Sequence, residues 1–178
     1  MKELRTSAGS ILSIFAIVIS LSALGVSVFE VTSLKDQQKA SVWPYLEVSP
    51  TYSSAGFEIK VQNKGIGPAL LGDVKLFHDG KHLASSQELD ALILTTIGPD
   101  RAFSYDTYRA RDVSNSVLSP GEDVVLFGVP WTADTRAFVE QTAFKFSAEG
   151  CFCSVYEDCW TVADDRVPEP AKACRKTS

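Results

Sequence analysis

The sequence lacks the short motifs by which common enzyme classes are recognised. It contains no G-x-S-x-G nucleophile elbow, no H-E-x-x-H metal motif and no C-x-x-C redox pair in 178 residues. These absences argue against the familiar serine hydrolases, zinc proteases and dithiol oxidoreductases. We therefore expect a protein that is not an enzyme and that uses no cofactor. The enzymatic alternative is a hydrolase with scattered carboxylates, for which Asp106, Asp112 and Glu122 are the candidates.

Dense runs of Lys and Arg are absent as well. Beyond Glu30 the chain has 15 basic and 20 acidic residues, and the two signs are mixed along the sequence. A surface without a concentrated basic patch cannot neutralise many phosphates. Nucleic acid and anionic lipid headgroups are therefore poor candidates for partners.

Charged residues are missing altogether from one long stretch, Thr6 to Phe29, which covers 24 residues. A helix of this length rises on the order of 30 Å, which matches the hydrocarbon core of a bilayer. The stretch therefore predicts a transmembrane helix and the lipid bilayer as its partner. A cleaved signal peptide is the alternative, because Ala23-Leu24-Gly25 has small residues at a suitable spacing. The anchor is favoured because the apolar run exceeds the roughly 7 to 15 residues of a signal-peptide core.

Charges on either side of this helix predict its orientation. Lys2 and Arg5 precede it, whereas the charges that follow between residues 30 and 39 cancel. The positive-inside tendency then places the N-terminus in the cytoplasm. In a bacterium this predicts a single-pass inner-membrane protein with a periplasmic domain, and the four cysteines fit that oxidising compartment.

Small residues recur along the predicted membrane helix. Ala16, Ser20 and Ala23 are spaced four and three residues apart, with Ser13 and Gly25 nearby. Small residues at this spacing let another helix approach closely, so these three are candidates for contact with a membrane partner. The alternative is a plain anchor, because membrane helices commonly carry small residues.

The sequence predicts five segments: a cytoplasmic N-terminus (1–5), the membrane helix (6–29), a helical stalk (30–40), a β domain (41–163) and a C-terminal tail (164–178). The stalk consists of helix-forming residues without Pro or Gly. Pro44 disfavours a helical conformation at Trp43, so the helix should end before it. We expect Trp43 and Tyr45 to cover one end of the β domain, although an aromatic belt at the membrane surface is the alternative.

Alternation of apolar and polar residues indicates antiparallel strands within the β domain. The clearest case is Phe57 to Gln62, and Asp123 to Val129 has the nearly continuous apolar character of a central strand. The other predicted strands are 73–77, 103–108, 117–118 and 144–149, the last with its apolar residues facing the core. Short helices are predicted at 85–96, ended by Gly98-Pro99, and at 132–141.

Two turn sequences invite functional interpretations that spacing does not support. Gly65-x-Gly67 precedes a strand rather than the helix that a phosphate-binding loop needs. Asp79-Gly80 predicts a two-residue hairpin turn that places His78 opposite Lys81 and His82 opposite Phe77. The two imidazoles then point to opposite faces, so we expect ordinary histidines and no metal site.

The most distinctive soluble stretch contains three of the four cysteines. Cys151 and Cys153 lie on one face of a predicted strand, and five residues separate Cys153 from Cys159, a suitable hairpin-loop length. We expect a Cys153–Cys159 disulfide, and Cys174 could reach Cys151. Four cysteines allow three disulfide pairings, and the sequence does not choose among them. A metal or redox site is the alternative, but the spacing lacks the paired knuckles of zinc ribbons.

The whole pattern resembles a group of uncharacterised bacterial membrane-anchored proteins. The resemblance rests on a short membrane helix followed by Ser41-Val42-Trp43-Pro44-Tyr45-Leu46, Asn63-x-Gly65-x-Gly67-Pro68-Ala69 and Cys151-x-Cys153-Ser154-Val155-Tyr156-x-x-Cys159-Trp160. It implies an inner-membrane anchor and a mainly β fold, an antiparallel immunoglobulin-like β-sandwich with one or two short helices. It implies no activity and no catalytic residue.

Three functions remain compatible with this reading. The favoured one is a membrane-anchored binding or protein-interaction module, for example a small subunit of an envelope complex, with a membrane or periplasmic protein partner. The others are the carboxylate hydrolase and a ligand sensor that acts through a membrane partner. The absence of a catalytic constellation favours the first.

Overall fold

The computed structural model describes residues 2–97, 109, 110, 112–164 and 166–174. Side chains are described for these residues apart from 2–11, 86, 97, 109 and 110. The chain divides into two compact units, residues 1–41 and residues 42–178. The predicted strand at 103–108, the predicted stop at Gly98-Pro99 and the candidate Asp106 lie outside the described residues.

The first unit is formed by helix α1, which runs without interruption from Lys2 to Ser41. Its segment Leu12–Ser41 is long and apolar enough to cross a membrane, and none of its apolar window is buried. Such exposure is expected of a membrane-spanning or signal helix and not of a core helix in a soluble domain. The helix continues through the predicted stalk and ends before Pro44, as expected from the sequence.

Ten strands lie in the described part of the second unit. They are β1 (Leu46–Tyr52), β2 (Gly56–Asn63), β3 (Ala69–His78), β4 (Lys81–His82), β5 (Arg109–Ala110), β6 (Val117–Leu118), β7 (Asp123–Pro130), β8 (Phe146–Cys153), β9 (Cys159–Ala163) and β10 (Glu169–Ala171). They form two sheets in the orders β1-β2-β7-β5 and β10-β9-β8-β3-β4, with β6 beside β3. Every pairing is antiparallel, as predicted. Because β10 lies in the predicted tail, part of that tail belongs to the second sheet.

Two short helices accompany the sheets, and both predictions are confirmed. Helix α2 spans Ser86–Ile97, and helix α3 spans Ala133–Thr142. A single turn of 3-10 helix, Ala143–Lys145, continues α3. The side chain of Thr132 accepts a hydrogen bond from the Thr135 backbone, which caps the first turn of α3.

One hydrophobic core takes side chains from both sheets and both short helices. Its fully buried aromatic residues are Phe57, Phe127, Phe138 and Phe152. The alternation predicted for Phe57 to Gln62 is confirmed, because Phe57, Ile59 and Val61 are buried. Strand β7 lies between β2 and β5, so the prediction of a central strand is also confirmed.

The expectation that Phe144 faces the core is wrong. Phe144 is 76% exposed, because the 3-10 turn extends α3 to Lys145 and strand β8 begins only at Phe146. From Phe146 onward the strand pattern holds, with Ala148 buried. The exposed ring of Phe144 lines a cleft at one end of the domain.

The hairpin around Asp79-Gly80 has the predicted register. Phe77 pairs with His82, and His78 pairs with Lys81. His78 contacts the ring of Phe146 at 5.0 Å between centroids, whereas His82 contacts Phe77 at 5.4 Å. The two imidazoles therefore do not converge on one point.

Candidate functional site

The four cysteines lie in or beside the second sheet. Cys153 is the register partner of Cys159, and the two form a disulfide across the β8–β9 hairpin. Cys151 forms the other disulfide with Cys174, which fixes the segment after β10 to β8. Strand geometry thus selects, among the three possible pairings, the one in which neighbouring cysteines are joined.

The two disulfides are in contact. Sγ of Cys153 lies 3.5 Å from Sγ of Cys174, and the sulfurs of Cys153, Cys159 and Cys174 lie within 4.8 Å of one another. Thiolates at this spacing would suit a soft metal ion. Sulfurs joined in disulfides offer no thiolate, and no cysteine of the chain is free. The arrangement therefore supports a structural role.

The candidate contact residues of the membrane helix share one face of α1. Ala16, Ser20 and Ala23 are separated by about one turn each, and their side chains are exposed. The Ser20 hydroxyl donates to the carbonyl oxygen of Ala16 at 2.8 Å. Because this hydroxyl is satisfied within its own helix, it needs no partner from another helix. This hydrogen bond does not bear on how closely another helix can approach, so contact through these three residues stays a prediction.

The described carboxylates of the hydrolase hypothesis stabilise turns. Oδ1 of Asp112 accepts a hydrogen bond from the backbone N–H of Ser114 at 2.8 Å, and Oε2 of Glu122 accepts one from Ser119 at 2.9 Å. Hydrogen bonds from the Ser114 side chain and backbone hold the pKa of Asp112 below its ordinary value of 3.8. A carboxylate stabilised as the anion is a poor proton donor at neutral pH.

Residues 42–45 form the connecting segment, which follows α1 in the chain and lies against the loop of residues 64–67. The backbone N–H of Lys64 donates to the Tyr45 carbonyl at 2.7 Å, and that of Ile66 donates to the Trp43 carbonyl at 3.1 Å. A Cβ on Gly65 or Gly67 would overlap the backbone of this segment. The two glycines therefore allow close backbone approach, which is their role here.

Aromatic rings cover the same end of the domain. Trp43 packs edge-to-face on Tyr45 and Trp160, with centroids 5.7 Å and 6.5 Å apart. Trp160 in turn stacks on the buried ring of Phe152 at 5.6 Å. These contacts agree with the expectation that Trp43 and Tyr45 cover one end of the β domain.

The buried side chain of Asn63 stabilises the same end of the domain through hydrogen bonds. Its side chain is fully buried, and Oδ1 accepts hydrogen bonds from the backbone N–H groups of Tyr45 at 3.3 Å and Gly65 at 3.0 Å. Its Nδ2 donates to the carbonyl oxygens of Gly67 at 2.8 Å and Leu118 at 3.0 Å. The amide thus makes four hydrogen bonds, the number its two donors and two lone pairs allow.

A cleft of about 520 Å³ opens at the opposite end of the domain, where β1 and β7 end. We call it the far-end cleft. It is lined by Tyr52, Trp131, Arg136, Val139, Glu140, Ala143 and Phe144. Its volume falls within the roughly 300–1,000 Å³ typical of small-molecule sites. Tyr52 and Phe144 expose 61% and 76% of their surfaces there.

The central tryptophan of the far-end cleft is held in one orientation. Nε1–H of Trp131 donates to the carbonyl oxygen of Ser53 at 2.7 Å, and its backbone N–H donates to Ala55 at 3.3 Å. The capped first turn of α3 follows immediately at Thr132. A ring that is fixed before a ligand arrives loses little conformational entropy on binding.

Two opposite charges also line the far-end cleft. The guanidinium of Arg136 lies 5.6 Å from the centre of the Trp131 ring. Glu140 follows one helical turn later, yet neither residue forms an ion pair with a described residue. Both groups therefore keep hydrogen-bonding capacity for a ligand.

A separate groove of about 460 Å³ crosses the outer side of the second sheet. It lies between β8, β9 and the segment that the Cys151–Cys174 disulfide fixes. Charged side chains of both signs line it, including Asp73, Lys75, Glu149, Arg166 and Glu169, and its described lining contains no aromatic ring. Its shape follows from the way the C-terminal segment packs on the sheet.

Reasoning from the sequence missed both Asn63 and the far-end cleft. Asn63 enters the sequence patterns only as the first residue of Asn63-x-Gly65-x-Gly67, although a polar residue that ends a strand before Gly-x-Gly is a usable signal. The sequence patterns do not single out Trp131, although a tryptophan between a strand and a helix cap often carries a packing or binding role.

Comparisons of the chain with models of protein families, with curated proteins and with solved structures gave no match.

Proposed function

We propose that this chain is a membrane-anchored binding module whose immunoglobulin-like domain lies on the periplasmic side of a bacterial inner membrane. The observation that carries this proposal is the exposed apolar helix α1, which leads directly in the chain to a disulfide-braced β domain. A domain attached in this way works at a membrane surface. Lys2 and Arg5 before the helix support the orientation.

Strand order supports the immunoglobulin-like assignment. In the immunoglobulin fold, strands A-B-E-D form one sheet and strands G-F-C form the other. The orders β1-β2-β7-β5 and β9-β8-β3 correspond to these, and β4 occupies the position beside strand C. The chain departs from antibody domains in that its Cys153–Cys159 disulfide joins β8 to β9 instead of joining the two sheets. It also adds β10 at the edge of the second sheet.

A binding role is supported by the far-end cleft. Binding residues commonly lie on loops and connecting segments that a rigid scaffold positions. The far end of this domain has exposed aromatic rings and two charges that form no ion pair with a described residue, whereas the other end is closed around the connecting segment.

Extraction and protease accessibility of the full chain test this proposal. After expression in a bacterium, the intact chain should stay in the membrane fraction through alkaline carbonate treatment. Protease added to spheroplasts should digest the β domain, whereas protease added to inside-out vesicles should leave it intact. A mature chain that lacks residues 1–25, or a domain protected in spheroplasts, would contradict the proposal.

A further inference from the structure

We propose that the far-end cleft binds a short neutral saccharide. This inference deepens the proposed function and rests on it, because it names the ligand class that the anchored domain would recognise. Three properties of the cleft lead to it: exposed aromatic side chains, a pair of opposite charges one helical turn apart, and a fixed tryptophan.

The aromatic rings suit a ligand with flat apolar faces. Tyr52 and Phe144 are among the most exposed aromatic residues of the domain, and Trp131 lies in the same cleft. Pyranose rings present C–H groups on their faces and hydroxyl groups around their edges. An aromatic ring packs against such a face while the edge stays available for hydrogen bonds.

The two charges argue against an anionic, a cationic or a purely apolar ligand. Arg136 and Glu140 both line the cleft, so an anion would face the Glu140 carboxylate and a cation would face the Arg136 guanidinium. A purely apolar ligand would remove water from both charges and return no hydrogen bond. A hydroxyl accepts from a guanidinium and donates to a carboxylate, so a neutral polyol satisfies both.

The lining also argues against a peptide that adds a strand to the sheet. Strand addition requires a row of unpaired backbone groups. Of the edge strand β1, only Tyr52 lines the cleft, and the rest of the lining comes from α3, its 3-10 extension and Trp131, which follows β7. Recognition here depends on side chains, as expected for a small molecule.

Binding is tested with the full chain in micelles of a detergent that contains no sugar. The probes are maltotriose, cellotriose and triacetylchitotriose, followed by saturation-transfer NMR and by tryptophan fluorescence. We expect at least one probe to bind with a Kd of about 1 mM or tighter. Phe144→Ala, Arg136→Gln and Glu140→Gln should each weaken binding at least about fivefold, or roughly 1 kcal/mol.

The matched control is Tyr156→Ala. Tyr156 is also an exposed aromatic residue, but it lies in the β8–β9 loop and outside the cleft. This variant should bind the probe as the unsubstituted chain does. Because Phe144 and Arg136 are exposed, their substitution should leave the thermal unfolding of the domain unchanged, which is measured in the same samples.

Two results would overturn the inference. One is the absence of saturation transfer from all three saccharides at about 10 mM, whether or not the tripeptide Gly-Phe-Gly binds under the same conditions. The other is binding that all three cleft variants retain in full. Neither result changes the carbonate extraction of the chain. The proposal of a membrane-anchored module would therefore be retained, and the proposal of a saccharide ligand would be rejected.

Discussion

The side-chain amide of Asn63 donates a hydrogen bond to the carbonyl oxygen of Leu118 at 3.0 Å, across 55 positions of sequence. Asn63 ends β2 in the first sheet, and Leu118 ends β6 in the second. One buried amide therefore links the two sheets. The same amide holds the connecting segment through Tyr45, so the point where the chain enters the domain is fixed to both sheets.

Replacing Asn63 with Ala should destabilise the domain severely. The substitution removes the hydrogen-bond partner of four backbone groups. The bonds to Gly67 and Leu118 are buried, and those from Tyr45 and Gly65 are partly buried. Each unsatisfied buried group costs about 1–3 kcal/mol, and partial relaxation suggests a total loss of about 3 kcal/mol or more. Urea unfolding of the full chain in micelles measures it.

Asn63→Asp should be no better than Asn63→Ala, because a carboxylate cannot donate to the two carbonyl oxygens. Gln141→Ala, at an exposed position of α3, is the matched control and should change stability by less than about 0.5 kcal/mol. A loss for Asn63→Ala as small as that of the control would show that the amide is not a structural link.

Gly67→Ala tests the close approach of the loop to the connecting segment. The added Cβ would meet the carbonyl group of Val42, and backbone cannot move aside as a flexible side chain can. We expect a loss of about 1–3 kcal/mol, the usual cost of overpacking. Gly25→Ala is the control, because its Cβ meets nothing within 4 Å. Equal unfolding midpoints for the two variants would contradict the prediction.

Local patterns predicted the local structure of this chain well. The apolar stretch predicted α1, alternation predicted β2, and Asp79-Gly80 predicted the β3–β4 register, because each depends on residues close in sequence. The Cys153–Cys159 pair belongs to the same class, since a short hairpin places its ends opposite each other.

Structure that depends on distant residues was not predictable in this way. The contact between Asn63 and Leu118 exists only after two sheets assemble, and Trp131 reaches Ser53 across 78 positions. The prediction for Phe144 failed for a related reason, because this residue lies at the boundary between α3 and β8. Its alternating neighbours read as strand, but α3 runs on through a 3-10 turn and carries the ring outward.

The two disulfides should differ in their contribution to stability. They close loops with sequence separations of 6 for Cys153–Cys159 and 23 for Cys151–Cys174. Chain-entropy arithmetic gives about 2 kcal/mol for the shorter loop and about 3 kcal/mol for the longer. The double variant Cys151→Ala/Cys174→Ala should therefore unfold at lower urea than Cys153→Ala/Cys159→Ala.

Limited proteolysis provides the second readout. Loss of the Cys151–Cys174 disulfide should make the chain cleavable around residues 166–168, since beyond Asp164, which hydrogen-bonds to Ala148, the short strand β10 is the described element that then holds this segment to the sheet. Loss of the Cys153–Cys159 disulfide should leave the segment protected. The reverse order of sensitivity would count against this assignment of roles.

His78 should make the domain less stable in mild acid. Burial, with a smaller contribution from the Lys145 ammonium, holds the pKa of His78 below its ordinary value of 6.5, although Asp79 opposes this. Nε2 of His78 is buried, and no described residue forms a hydrogen bond with it. Because the unfolded chain binds the proton more readily, stability is complete above about pH 6.5 and falls as the pH drops toward the folded-state pKa.

His78→Gln should therefore flatten the dependence of the unfolding free energy on pH between about 7.5 and 5. His82→Gln is the matched control, because His82 is an exposed imidazole in the same hairpin. Urea unfolding of the three chains at several pH values measures the slopes. Parallel curves for the unsubstituted chain and His78→Gln would refute the role of His78.

The identity of α1 as a membrane anchor is tested by one charge at its centre. Val18 lies near the middle of the uncharged stretch, and an Asp there costs about 3 kcal/mol for insertion relative to Val. Val18→Asp should therefore reduce the carbonate-resistant fraction of the full chain. Gln37→Asp adds the same charge to α1 in the segment beyond Phe29, where water or headgroups solvate it, and should leave that fraction unchanged. Equal retention of both variants would contradict the membrane-anchor assignment, because a charge at the centre of a lipid-exposed span should cost more than a charge beyond Phe29.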